Sequence, residues 1–82
     1  MKKDVIIPRL GSSDESDEVR ILRWIKAKGA KVQKGEALLE IETDKVNVEI
    51  ESPDDGQLEE INAQEGDFVK FGAVVGVIDK PN

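Results

Sequence analysis

Cysteine and histidine are both absent from this 82-residue chain. Their absence removes disulfide staples, thiolate nucleophiles, imidazole bases and the usual zinc ligands together. Redox or nucleophilic chemistry must then come from a group attached to the protein. Basic residues are the minority, 12 against 18 acidic, for a net charge of −6. A nucleic-acid binder needs a basic surface to displace counterions from phosphates, so that class is disfavoured. No apolar run is long enough for a membrane span. Met1-Lys2-Lys3-Asp4 leads into Val5-Ile6-Ile7 without a signal-peptide pattern. A reducing compartment is expected, the cytoplasm or its equivalent, for a free protein or for a domain of a longer one. An enzyme is the least expected class, because only carboxylates, hydroxyls and lysines remain and no pair of them stands out from solvated strand faces. A chain this short buries roughly 60% of its unfolded surface, which suits one thin-cored domain, taken as residues 1–82 with a structured core over about 4–79.

What is present is a repeat. At an offset of 37 residues, segment 28–41 aligns with 65–78: Gly29 falls on Gly66, Val32 on Val69, Gly35 on Gly72, Leu38 on Val75 and Ile41 on Ile78. Upstream, Ile21 falls on Leu58 and Trp24 on Ile61. Two copies of one pattern predict a quasi-twofold fold rather than a solenoid, which needs three or more units.

Each half reads as β. Leu39 and Ile41 alternate with Glu40 and Glu42, and Val46, Val48 and Ile50 alternate with Asn47, Glu49 and Glu51. Period-2 alternation predicts strands with one buried and one solvated face. Strands are expected near 4–8, 18–25, 37–42, 46–51, 57–62 and 73–79, with short ones around 31–33 and 68–70. Pro8 and Pro53 suit strand ends, where a missing N–H is tolerated. The fold class is all-β: a flattened barrel or sandwich of two roughly four-stranded antiparallel sheets, with no useful helix. An SH3-like barrel is the competing architecture, and the repeat argues against it. Trp24 is expected to fill the core with its repeat partner Ile61. Phe68 and Phe71 straddle a turn, so one of them can face solvent, with partial burial the safer expectation.

If the two strongest alternating runs form a hairpin with Asp44-Lys45 at its tip, Ile41 faces Val48 and Leu39 faces Ile50 on one side. Glu42 then faces Asn47 and Glu40 faces Glu49 on the other. A one-residue slip would drive glutamates into the core, so this register is strongly specified. Asp-Lys is not a pair favoured in tight hairpins, which leaves the turn type open. The facing glutamates are like charges whose tolerance alternation alone does not explain. On spacing alone, Lys45 reads most simply as a solvated lysine that keeps the turn soluble. Asp44 reads as a turn residue favoured for local hydrogen bonding.

The stretch Glu40-Ile41-Glu42-Thr43-Asp44-Lys45-Val46 resembles the modification motif of lipoyl domains in 2-oxo acid dehydrogenase acyltransferases. Val48-Glu49-Ile50-Glu51-Ser52-Pro53, Gly56, Gly29, Trp24, Glu65-Gly66-Asp67 and Pro8-Arg9-Leu10-Gly11 continue the likeness over roughly residues 5–79. The resemblance implies a non-catalytic carrier with lipoic acid amide-linked to Lys45. Asp44 and Val46 would complete the motif, and Asp44 would help the attaching enzyme identify its target. It also implies partners: a lipoate ligase or lipoyl/octanoyl transferase, a thiamin-diphosphate-dependent decarboxylase, an acyltransferase core that passes the acyl group to coenzyme A, and dihydrolipoamide dehydrogenase. The compartment would be the cytoplasm, or the mitochondrial matrix for a domain excised from a longer chain.

The likeness weakens over 12–18, a strongly acidic run about two residues longer than the family's usual connection, without its usual glycine. In the family this loop lies near the lipoyl-lysine and contributes to recognition by the decarboxylase. A solvated surface loop is an equal reading. A biotin carrier is the first rival, but that family typically flanks its lysine with methionines, and here the only methionine is Met1. From another class, an unmodified β interaction module also fits the spacing.

Overall fold

A computed structural model describes residues 1–8, 18–43 and 46–81. Arg9-Leu10-Gly11, the acidic run over 12–17, and Asp44 and Lys45 lie outside the described residues. Among those described, the elements are β1 (Lys2–Ile6), β2 (Glu18–Trp24), β3 (Lys31–Val32), β4 (Ala37–Glu42), β5 (Asn47–Glu51), β6 (Gly56–Ile61), β7 (Phe68–Lys70) and β8 (Val74–Asp79). They form two four-stranded antiparallel sheets, ordered β1-β8-β6-β3 and β5-β4-β2-β7. The all-β sandwich expected from alternation is the fold observed, and no described helix is long and apolar enough to cross a membrane.

The sheet orders are equivalent strand for strand, and the repeat extends to individual bonds. Gly29 N–H donates to the Leu58 carbonyl, and Gly66 N–H to the Ile21 carbonyl, both at 2.7 Å. Ala30 closes a turn on Ala27 at 3.0 Å, as Asp67 does on Gln64. In the third place of these turns stand Gly29 and Gly66, at φ 93° and 92°. Type II turns put positive φ at that place, which glycine adopts at little cost. Even the irregularities repeat. Leu22 and Glu59 are skipped in the β2–β4 and β6–β8 registers, and Leu38 and Val75 in β4–β5 and β1–β8. Such bulges bend and twist strands enough to let a sheet curl over a core.

Ile21, Leu38, Leu39, Ile41, Leu58 and Ile78 are fully buried at that core, with Val5, Val19 and Val75 around them. Trp24 is half-buried against it rather than enclosed. Its ring crosses toward Gly76, where an added Cβ would lie 3.2 Å from the indole and 2.9 Å from the Glu60 carbonyl. Phe71 packs on the core, whereas Phe68 on edge strand β7 stays 67% exposed.

Strand β1 departs most from expectation, running over 2–6 rather than 4–8. Its register with β8 carries through Lys2↔Asp79, so pairing recruits exposed residues that alternation cannot flag. Ile7 remains buried beyond the strand, bonded through its N–H to the Ala73 carbonyl.

Candidate functional site

The β4–β5 hairpin follows the expected register: Leu39↔Ile50, Glu40↔Glu49, Ile41↔Val48 and Glu42↔Asn47. Ile41 is fully buried and Ile50 nearly so, which fixes that register from the core side. At the open end Thr43 N–H donates to the Val46 carbonyl at 2.9 Å. The Thr43 hydroxyl donates to the same carbonyl at 2.8 Å and accepts from Val46 N–H at 3.0 Å. The strands are therefore joined by a two-residue connection, 44–45. Asp44 and Lys45 themselves lie outside the described residues, while the third motif residue, Val46, is 60% exposed.

The outer face of this sheet explains how Glu40 and Glu49 stand opposite each other. Arg23 on β2 donates through Nε to Glu40 at 3.0 Å, and Arg20 lies 3.8 Å from Glu42. In a regular strand, residues three apart project from opposite faces. The bulge at Leu22 brings both arginines onto the face of the glutamates. Arg20 and Arg23 are the contributors that sequence reasoning missed, because their role needs both the β2–β4 pairing and the bulge. Thr43 was visible within the motif without a task, although a hydroxyl beside an Asp-Lys pair is itself a turn signal.

The far end is built differently. Lys80 N–H donates to the Met1 carbonyl at 2.7 Å, the repeat equivalent of the Thr43–Val46 bond. Lys80 also pairs with Asp54 at 3.1 Å, in the corner after β5 that bonds through Ser52 to Glu36 ahead of β4. This closure thus lies at the start of β4 and the hairpin tip at its end, along a molecule whose longest extent is 41 Å. Three described groups away from the tip are shifted in acidity. Asp54 is held below the usual carboxylate range by the Asp55 N–H and by Lys80, Glu36 by Lys26 and the Gln33 N–H, and Lys2 is raised by Glu59. An open depression of about 590 Å³ between Lys31, Gln57, Asp79 and Lys80 also sits at the far end, with charges of both signs. Its position separates it from the hairpin chemistry.

The tip end gathers four chain segments: Ile7–Pro8 after β1, Glu18 at the start of β2, the hairpin, and the end of β7 with its turn to β8, whose Lys70 pairs with Glu18 and whose Ala73 bonds Ile7. The connection between β1 and β2 takes eleven residues, 7–17, where its repeat equivalent between β5 and β6 takes four, 52–55.

Comparison with known proteins decides the family. The biotin/lipoyl family model, described as biotin-requiring enzyme, matches residues 3–78. The chain belongs to the biotin/lipoyl family. It is 45% identical over 75 residues to the dihydrolipoyllysine-residue succinyltransferase component of the 2-oxoglutarate dehydrogenase complex of Staphylococcus saprophyticus, covering 92% of this chain and 17% of that protein. It is 47% identical over 79 residues to the dihydrolipoyllysine-residue acetyltransferase component of the pyruvate dehydrogenase complex of Corynebacterium glutamicum, covering 96% and 11%. The solution structure of the lipoyl domain of the 2-oxoglutarate dehydrogenase complex from Azotobacter vinelandii superposes with a TM-score of 0.75 at 29% identity, covering 95% of this chain and 99% of that one. The chain spans less than one fifth of the length of these two curated relatives. Within the biotin/lipoyl family it is a lipoyl-type carrier domain, non-catalytic by itself, and the biotin alternative is not favoured.

Proposed function

We propose that this chain carries lipoic acid on Lys45, amide-linked to the side-chain amine, and serves as the mobile acyl carrier of a 2-oxo acid dehydrogenase complex. The observation that carries this reading is the two-residue connection closed by Thr43 and Val46, which leaves Asp44-Lys45 as the link between two register-locked strands. A covalent arm needs no cavity, only a firmly based amine with open surroundings. Glu42, Val46 and Asn47, the exposed residues flanking the pair, fit that requirement.

Amide formation removes the ammonium charge and leaves a long neutral arm. Its dithiolane supplies the thiol–disulfide chemistry that a chain without cysteine lacks. The barrel's part is mechanical. It holds the base of the arm still, so that successive transfers become encounters at high effective concentration. Lys45 takes no acid or base role, and Asp44 marks the lysine for the attaching enzyme. In this reading residues 1–82 form one carrier unit of an acyltransferase component working in the cytoplasm. The partners are a lipoate ligase or lipoyl/octanoyl transferase, a thiamin-diphosphate-dependent decarboxylase, the acyltransferase core and dihydrolipoamide dehydrogenase.

The decisive experiment is intact mass with peptide mapping after expression beside a lipoate ligase. Lipoyl mass on Lys45 is expected, and an unmodified chain would point instead to a plain interaction module. The lipoylated domain should then be reductively acylated by a purified decarboxylase. Comparing enzymes specific for pyruvate and for 2-oxoglutarate identifies the complex it serves.

A further inference from the structure

Thr43 stands directly before the Asp44-Lys45 pair, and its side chain holds both polar backbone groups of Val46. A two-residue hairpin ordinarily closes on backbone bonds alone, which works best when the connecting residues accept positive φ, hence the preference for Asn-Gly or Asp-Gly. Neither Asp nor Lys adopts that conformation as readily as glycine. Here the Thr43 hydroxyl takes the Val46 N–H at 3.0 Å, and it returns a bond to the Val46 carbonyl at 2.8 Å. Closure therefore combines the backbone bond from Thr43 N–H to the Val46 carbonyl with a side chain outside the pair, which eases the demand on the pair to be chosen for turn geometry rather than for chemistry.

We propose that Thr43 is a positioning residue for modification at Lys45, its hydroxyl clamping Val46 so that the strand ends on either side of the lysine keep a fixed separation. This rests on the carrier reading above. In the modification step the neutral lysine amine attacks the carbonyl carbon of an acyl adenylate. The C–N bond forms, the bond from that carbon to the phosphate oxygen breaks, AMP leaves, and the amine's extra proton passes to solvent. The proposed role of Thr43 requires no contact with any of these atoms. Its effect is on how often the amine sits within attacking distance, which is the orientational part of the barrier.

The test uses the full chain as Thr43→Val, which keeps the shape and loses the hydroxyl, and Thr43→Ser, which keeps the hydroxyl. Initial rates with purified lipoate ligase, lipoate and ATP are followed by intact mass across a range of domain concentrations. Thr43→Val is expected to lower kcat/KM about tenfold, through kcat rather than KM, and Thr43→Ser to stay within about twofold of the parent. The Val46 amide should exchange faster in Thr43→Val while the Ile41 amide keeps its protection, which separates loss of the clamp from loss of the fold. A Thr43→Val chain modified at the parent rate, or a Thr43→Ser chain as slow as Thr43→Val, would overturn the proposal alone. A parent chain that is never modified would overturn the carrier reading with it.

Discussion

Trp24 shows how one side chain can span two elements of this barrel. Its indole N–H donates to the Ala63 carbonyl at 2.8 Å, while its ring lies over Gly76 on the opposite sheet. Trp24→Phe is expected to lower stability by about 1 kcal/mol, the worth of that bond, in urea titration. Trp24→Ala, which also empties the contact with Gly76, should lower it by about 3 kcal/mol, the lower end for a large aromatic because the site is half-open. Equal losses for the two variants would show that the ring contributes nothing beyond its N–H. The packing of Trp24 on the core was legible from its repeat partner Ile61, which is likewise half-buried against it. Its bond to Ala63 was not, since that depends on a contact 39 residues away. At the proposed attachment residue, Lys45→Arg keeps the charge but has no amine to acylate. It should melt with the parent and show no lipoyl mass after co-expression with ligase.

At the scale of the hairpin, the like-charged pair Glu40–Glu49 is tolerated because Arg23 lies against Glu40 on the side away from Glu49. Removing it by Arg23→Ala should cost about 0.5 kcal/mol at low ionic strength, the usual size for an exposed pair, and less in high salt. Adding Glu49→Gln to that variant should recover part of the loss by ending the repulsion. Urea midpoints of the parent, both single variants and the double variant measure the coupling, and strict additivity would contradict it. The hairpin register was legible because alternation on both strands fixes it without any third strand. Arg23 was not, because the Leu22 bulge overturns the face that simple counting assigns. The paired buried residues Leu38 and Leu39 carry the same lesson, since two consecutive core positions look like a broken strand until Leu38 is seen to be a bulge. Its repeat partner Val75, beside buried Gly76, was the available clue.

Across the whole molecule, a quasi-twofold scaffold has been given two unlike ends. One end closes through Thr43 and Val46 around two connecting residues; the equivalent closure at the other joins Met1 to Lys80 and is braced by Asp54–Lys80 and Lys26–Glu36. The acidities of Asp54 and Glu36 are both shifted downward by those contacts. A carboxylate whose folded-state pKa is depressed contributes stability above its unfolded pKa, and that contribution disappears as pH falls through the folded value. Lys2, raised by Glu59, works in the other direction: its contribution is present below the ordinary lysine range and is lost as pH rises beyond it. Stability should therefore form a plateau around neutrality and decline at acid pH, with the far-end carboxylates carrying part of the decline. Asp54→Asn with Glu36→Gln should flatten that acid limb in urea midpoints measured from pH 7 down through the carboxylate range. Because both residues lie at the end of β4 remote from the hairpin tip, the same double variant should accept lipoate on Lys45 at the parent rate at neutral pH. An unchanged acid limb would show that these contacts are too solvated to matter. A slowed lipoylation would show that the two ends of the barrel are not mechanically independent, contrary to what a rigid core of fully buried Ile21, Leu38, Leu58 and Ile78 between them implies.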